Sequence, residues 1–255
     1  MHETLDCLQK QTIENWECVI VNDGSTDNSS AIAHQYAEKD PRYKVIDIQN
    51  AGTSNARNVG IKASQAKYIL PLDADDLIAP SYAEKAIAYL DAHDDVKLVY
   101  CNAELFGNQT GAWILPECNP ETLIWGNQIH CSAVYRRSDF DKTNGYNTNM
   151  KHGLEDWDFW ITFLSKGDKT YRLPETLFFY RIQAGTRSSV CANNTQAMHN
   201  QVIMNHFDLY KPYLYKIFEC NDYKKELEKR LNSKKYKLGS FLCEPFVFLK
   251  KLFSK

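Results

Sequence analysis

The stretch LPLDADDLIAP, residues 70 to 80, places Asp73, Asp75 and Asp76 directly behind a short apolar run. Hard divalent cations take oxygen ligands, and Mg²⁺ is commonly held by one or two carboxylates together with substrate phosphates. With only the small Ala74 between them, Asp73 and Asp75 are able to approach one phosphate-bound ion from the end of a strand. The bland reading is that these aspartates end a strand or cap the helix that starts near Pro80. A second acidic pair, Glu155 and Asp156, opens the amphipathic stretch GLEDWDFWITFL. On a helical wheel Glu155 shares a face with Asp158 and Thr162, which points it to solvent, whereas Asp156 shares one with Phe159, Trp160 and Phe163. Desolvation there raises the pKa of Asp156, opposed by the helix N-terminus, and a carboxylate so tuned suits general-base work.

The elements that must position these groups alternate in type. CVIV is a buried strand ended by NDGSTDNS, where Asn22, Gly24 and Ser25 supply turn chemistry and Asp27 can cap the next helix. YKVIDI is a second strand, and TSNARNVGIKAS reads as a helix with Ala56, Val59, Gly60 and Ala63 on one face and Thr53 as its cap. YILPL is the third strand, a helix runs from Pro80 and Ser81 to about His93, and VKLVYC follows as a strand. Beyond residue 100 come AWILP, a short helix at NPETLIWG, the strand CSAVYRR, the turn TNGYN, a helix over LEDWDFWITFLSKG stopped by Gly167, and the strand LFFYR. From about Ala192 the chain reads as helical. This rhythm predicts an α/β fold with a mainly parallel, doubly wound sheet, a mixed second half and a helical C-terminal tail. Ligands of such sheets bind at the carboxyl ends of strands, where Asp23 and Asp73 both fall.

Charge and cysteine usage narrow the class. The chain's 255 residues suit one α/β domain, and a formal charge of −2 argues against a general nucleic-acid binder. From His206 onward twelve Lys and Arg stand against six Asp and Glu, so an acidic body carries a basic tail. The eight cysteines are scattered, with no C-x-x-C pair, which reads as reduced thiols in a cytosolic protein. No signal peptide is evident at the N-terminus, and no uncharged apolar run reaches the ~20 residues of a membrane-spanning helix.

VIVNDGSTDNSS, NAGTSNARNVGIKAS, YILPLDADDLIAP and GLEDWDFWITFL occur in this order. Together they resemble the family 2 glycosyltransferases, inverting enzymes of the GT-A fold that use nucleotide-diphosphate sugars. The resemblance covers residues 1 to 190 and leaves 191 to 255 as a basic tail. It implies that Asp23 faces the base or ribose, that Arg57 lies near the same nucleotide, and that Asp73 touches the ribose side. It further implies that Asp75 holds a Mn²⁺ or Mg²⁺ ion bridging the phosphates and that Asp156 is the base. The substrates implied are a nucleotide-diphosphate sugar, first of all a UDP-sugar, and a saccharide or lipid-linked acceptor in surface-polysaccharide synthesis. Asp23 as a plain turn former and Arg57 as a surface helix residue are the bland rivals.

Two departures from the family pattern stand out. The family opens with an apolar strand and a Pro-x-Tyr-Asn-like turn, whereas this chain begins inside the following helix, at MHETLDCLQKQT. The expectation is an N-terminally incomplete domain whose sheet lacks a central strand. Where many members place a His after the Tyr-Arg pair, this chain has Gln183, so Arg181 or Arg187 is expected to neutralise the diphosphate. The tail, with Phe241, Leu242, Phe246, Phe248 and Leu252 among lysines, suits peripheral contact with an anionic membrane on its cytoplasmic face. The rivals are a catalytically silent sugar-nucleotide-binding or scaffolding module, a sugar-nucleotide-forming nucleotidyltransferase and a haloacid-dehalogenase-type phosphatase. No glycine-rich basic triphosphate loop supports the second, and Asp76-Leu77 after Asp75 breaks the phosphatase pattern.

Overall fold

A computed structural model describes residues 1–183 and 187–213 together with Lys225, Glu228 and Lys229; for 187–193 it describes the backbone alone. By contact, Met1–His206 and Phe207–Lys255 are separate compact units. In the second, α8 (Phe207–Tyr210) leads into a 3₁₀ turn, and Tyr210 is buried. The apolar-basic end of the tail, residues 240–255, lies outside the described residues, as does the side chain of Arg187.

The first unit begins with α1 (His2–Gln9), followed by β1 (Cys18–Asp23), α2 (Ser29–Lys39), β2 (Tyr43–Ile48) and α3 (Thr53–Ala63). Asn22 builds the expected turn by accepting the Ser25 N–H, and Asp27 accepts that of Ser29 at the start of α2. Gly60 lets α3 lie close on β1, since a Cβ there would stand 3.1 Å from Val21 Cγ2. The helix is entered from Gly52, so Thr53 is its first residue and not its cap.

The chain continues through β3 (Tyr68–Ile69), β4 (Leu77–Ile78), α4 (Tyr82–Ala92), β5 (Val96–Gly107), β6 (Gly111–Trp113), a 3₁₀ turn at Leu123–Trp125, β7 (Val134–Arg136), α5 (Arg137–Phe140), α6 (Glu155–Phe163), β8 (Lys169–Ile182) and α7 (Arg187–Asn205). Helix α6 ends four residues before Gly167, because Leu164 is already extended. The core between α4 and the larger sheet holds Ile78, Tyr82, Leu90, Val99, Val134 and Phe178.

The described strands form two sheets. β1 pairs with β2 in parallel, and β3-β7-β5-β8-β4 forms the other, with β6 on the edge of β5. The two parallel pairs, β1 with β2 and β5 with β8, carry the longest ladders, while the four remaining pairs are short and antiparallel. The expected third strand is paired over two residues only, and its pairing is with β7.

The reason lies between the sheets. A cavity of about 1100 Å³ is lined by all six residues of β1 and by Tyr68 to Ala74. Successive side chains of a strand alternate in direction, so consecutive residues line one space only when the strand meets it edge-on. β1 and β3 therefore both present an edge that has no strand partner among the described residues. Helix α1 ties the two sides: Leu5 C=O accepts from Tyr43 Oη at 2.7 Å, and Thr4 Oγ1 donates to Ala74 C=O at 2.8 Å. An apolar strand-forming segment fused ahead of Met1 should raise Tm and slow hydrogen exchange of the β1 amides that face the gap. Unchanged exchange along β1, measured by mass spectrometry, would show that the gap takes no strand.

Candidate active site

Arg57 is set on α3 beneath the end of the third strand segment, and its side chain is 9% exposed. Nη2 donates to Asp73 Oδ1 at 2.6 Å and Nη1 to Glu155 Oε1 at 3.0 Å. Burial works against its charge, but the carboxylates of Asp73 and Glu155 more than offset this and hold the guanidinium protonated. Its Cζ lies 5.5 Å from the ring centroid of Tyr146, which stacks on Phe159 of α6 at 4.1 Å. Asn58, the next residue of α3, clamps Tyr146 by its main chain, accepting from N at 2.8 Å and donating to the carbonyl at 2.8 Å. Gly145 makes that approach possible. It has φ of +73°, and a Cβ there would stand 2.5 Å from Asn58 Oδ1.

The acidic cluster is not uniform. Asp73 lies in the cleft, with Oδ1 on Arg57 and Oδ2 at 3.9 Å from Cys131 Sγ. Asp75 is half-buried; burial, and then the charge of Asp73, push its carboxyl up. Asp76 is fully buried and pushed up to about 8, mainly by burial. Its Oδ1 accepts the Arg181 N–H at 2.9 Å, while Oδ2 has no hydrogen-bond partner. Arg181 Nε donates to Asp75 C=O at 2.7 Å, and its guanidinium also meets Glu3 and lies over Phe106. Oxygen donors around an orphaned buried oxygen fit a hard divalent cation. Among the described residues, Asp73, Asp76 and Cys131 each bring a possible ligand atom within 4.8 Å of the others. Asp75 is not part of this group.

Helix α6 brings the other acidic pair to the same place. It is entered through Gly153 (φ +130°) and Leu154 (φ +59°), a left-handed bend that is costly for leucine and keeps no side-chain cap. Asp156 keeps a window on solvent, and Asn127 Nδ2 donates to its Oδ2 at 3.0 Å. Burial, and next the charge of Glu155, lift its carboxyl to about 6, against the opposing pull of Arg57. The expectation that Glu155 faces solvent is overturned. Glu155 and Asp158 are both buried, because each finds polar partners that a count of apolar residues on a wheel cannot register.

Asp23 stands at the end of β1, where its two oxygens accept the N–H groups of Ala51 at 2.8 Å and Gly52 at 2.9 Å. It thus fixes the loop into α3 and retains further lone pairs. Arg57, Asp73 and Asp156 are joined through one guanidinium and the Glu155–Asp156 pair. Asp23 shares the large cavity's lining with Arg57 and Asp73. Asn58 follows Arg57 in NAGTSNARNVGIKAS but carried no expectation of its own, and nothing in the sequence marks Asn127 as the partner of Asp156.

Residues 1–143 match the family described as glycosyl transferase family 2, and the chain belongs to that family. It is 43% identical over 107 residues to the putative glycosyltransferase EpsH of Bacillus subtilis (strain 168), a match covering 42% of this chain and 30% of EpsH. The match thus spans about a third of that relative's length. Among solved structures it is similar to S. aureus TarS 1-349 in complex with UDP, at a TM-score of 0.61 and 21% identity, covering 80% of this chain and 61% of the other. It is also similar to the mannosyltransferase PcManGT from Pyrobaculum calidifontis in complex with GDP-Man and Mn²⁺, at a TM-score of 0.55 and 15% identity, covering 100% of this chain and 83% of the other. The fold is therefore GT-A-like. No described helix is long and apolar enough to cross a membrane, and the five described cysteines are free thiols.

Replacing Arg57 by Ala strands the buried Glu155 carboxylate, at an expected cost of about 3–5 kcal/mol. Urea denaturation checks this. A cost below about 1 kcal/mol would mean that the bridge does not hold the site together.

Proposed function

We propose that the protein is an inverting glycosyltransferase that moves a sugar from a nucleotide-diphosphate donor, first of all a UDP-sugar, to a hydroxyl of a saccharide or lipid-linked acceptor. One observation carries the reading: a single buried guanidinium joins the strand-end carboxylate Asp73 to Glu155, next to the raised carboxyl of Asp156. Support for the donor class comes from the UDP and GDP-Man named with the two similar structures.

Asp23, Arg57 and Asp73 bind the nucleotide in this reading. Asp23 offers its remaining lone pairs to base or ribose, and Asp73 lies beside the ribose. Asp75 would hold a Mn²⁺ or Mg²⁺ ion, which when bound supplies positive charge to the diphosphate. Arg181, already braced on the Asp75 and Asp76 segment, adds charge from the chain itself. Asp156 takes the proton of the acceptor hydroxyl as that oxygen attacks the anomeric carbon opposite the leaving diphosphate. Asn127 orients its carboxylate, and the nearby Glu155 charge makes it a better base.

Asp156 acts only when ionised, so turnover should fall as pH drops through about 6. Asp156→Asn should lose roughly 10² to 10⁴ in turnover with little change in nucleotide affinity. The same raised pKa means that ionising Asp156 weakens the fold as pH rises from about 4 toward the folded value. The Asn variant should accordingly be at least as stable as the parent at pH 8. Glu155→Gln should cost less turnover and keep an acid limb, moved to lower pH because the Glu155 charge no longer raises Asp156; a larger loss in Glu155→Gln would transfer the role to Glu155. For the metal, Asp75→Asn should weaken Mn²⁺-dependent UDP binding far more than it lowers Tm, and calorimetry showing equal metal dependence in both proteins would remove Asp75 from the site. A catalytically silent module would bind the nucleotide and show no transfer or donor hydrolysis in either protein.

A further inference from the structure

Asp158 is the fourth residue of α6 and has no solvent exposure. A carboxylate placed so deep is costly unless its oxygens are well occupied. Three side chains from two other segments supply the hydrogens. Asn147 Nδ2 donates to Oδ2 at 2.7 Å, while Asn205 Nδ2 at 2.7 Å and His206 Nε2 at 3.1 Å reach Oδ1. An acceptor-only carboxylate fixes the His206 proton on Nε2. Asn205 is held in turn by a reciprocal amide pair with Asn149, at 2.7 and 3.1 Å, and accepts from Gln201 at 3.0 Å. The cluster thus binds the loop before α6, the first turn of α6 and the end of α7 into one unit.

That location matters because the first turn of α6 relies on side chains to hold it, among them Trp157, whose Nε1 donates to Leu123 C=O at 2.6 Å. The turn has no side-chain cap and is entered through a left-handed leucine. Glu155 and Asp158, three residues apart and so on one face, are instead fixed by side chains, Glu155 by Arg57 and Asp158 by the amide cluster. Two helical residues differ by about 200° around the axis, so Asp156 and Asp158 lie on opposite sides. A rotation of the turn that releases Asp158 swings Asp156 out of its place beside Asn127.

We infer that Asp158 is a positioning residue, which through the Asn147, Asn205 and His206 cluster locks the start of α6 so that Asp156 is held in its half-buried place in the cleft. The inference deepens the reading of Asp156 as base and rests on it for its catalytic meaning. Among the described residues, the charged and titratable groups that face Asp156 are Glu155, Arg57 and the Cys131 thiol, with Asn127 as its amide partner, and the one that faces Asp158 is His206.

The test needs no substrate. In the full chain with ¹³C-labelled aspartate, the Asp156 carboxyl resonance is assigned by its loss in Asp156→Asn, and its midpoint is read by titration. Asp158→Asn sets an amide donor against the Asn147 donor and should lower the Asp156 midpoint by roughly one unit or more, as the freed carboxyl becomes hydrated toward its ordinary value. The paired change Asp158→Asn with Asn147→Asp reverses donor and acceptor and should bring the midpoint back. A variant that loses Tm while its Asp156 midpoint stays where it was overturns the inference, since Asp158 would then be purely structural. If Asp158→Asn does not fold, Asn205→Ala and His206→Ala are read the same way, and an unmoved midpoint in both is equally fatal. Failure of the base reading looks different: Asp156→Asn would keep its turnover whatever the midpoints do.

Discussion

The rest of the site depends on a buried guanidinium between two carboxylates. Arg57 reaches Asp73, 16 residues away in sequence, and Glu155, 98 residues away. A buried charge without a partner is costly, and sharing the one guanidinium gives both carboxylates a positive neighbour. The rigid, planar fork of Arg is what allows one side chain to serve two acceptors at once. Through it the strand-end cluster and the start of α6 become one site, although they belong to different halves of the chain.

Around that bridge the carboxyl groups are separated in character by their surroundings. Asp76 lies deepest and is pushed up to about 8, so it is largely neutral near pH 7. Asp156, with its window on solvent and the Asn127 amide on one oxygen, is lifted only to about 6 and is ionised under the same conditions. Asp73 and Glu155 are matched to Arg57. Similar side chains crowded into one cleft thus take different duties because burial, neighbouring charge and hydrogen bonding differ at each.

The gap beside β1 and β3 shapes the opposite wall of the same region. The cavity between the two edges is lined by Asp23, Arg57 and Asp73 as well as by Val19, Ile20 and Leu70, so it is continuous with the Arg57 and Asp73 side of the site. Helix α1 bridges the gap through Leu5 and Thr4, and that bridge fixes the strand-end aspartates relative to β2. Parallel ladders and a cleft at the carboxyl ends of strands follow the general rule for α/β sheets. Here the pairing is interrupted at the position where the two sheets face each other.

Periodicity and turn chemistry placed most elements, because they depend on neighbours within a few residues. The strands at Cys18–Asp23 and Tyr43–Ile48, the helices at Thr53–Ala63 and Tyr82–Ala92, and the helix start at Glu155 are all of this kind. The order of four motifs was enough to point to the family, but the helical wheel reversed the acidic pair, since Glu155 is buried and Asp156 keeps a window on solvent. It misjudged Glu155 itself, since whether an acidic side chain is solvated or buried is decided by partners that lie far away in sequence. Arg57 for Glu155, Asn127 for Asp156, and Asn147 with Asn205 and His206 for Asp158 come from distant segments, and no local pattern encodes them. The short paired length of the third strand segment has the same origin, because a ladder needs a second backbone at hydrogen-bonding distance. Residue types and spacing determined which groups were able to do chemistry, and long-range packing alone decided which carboxylates are paired, which is neutral and which faces the cleft.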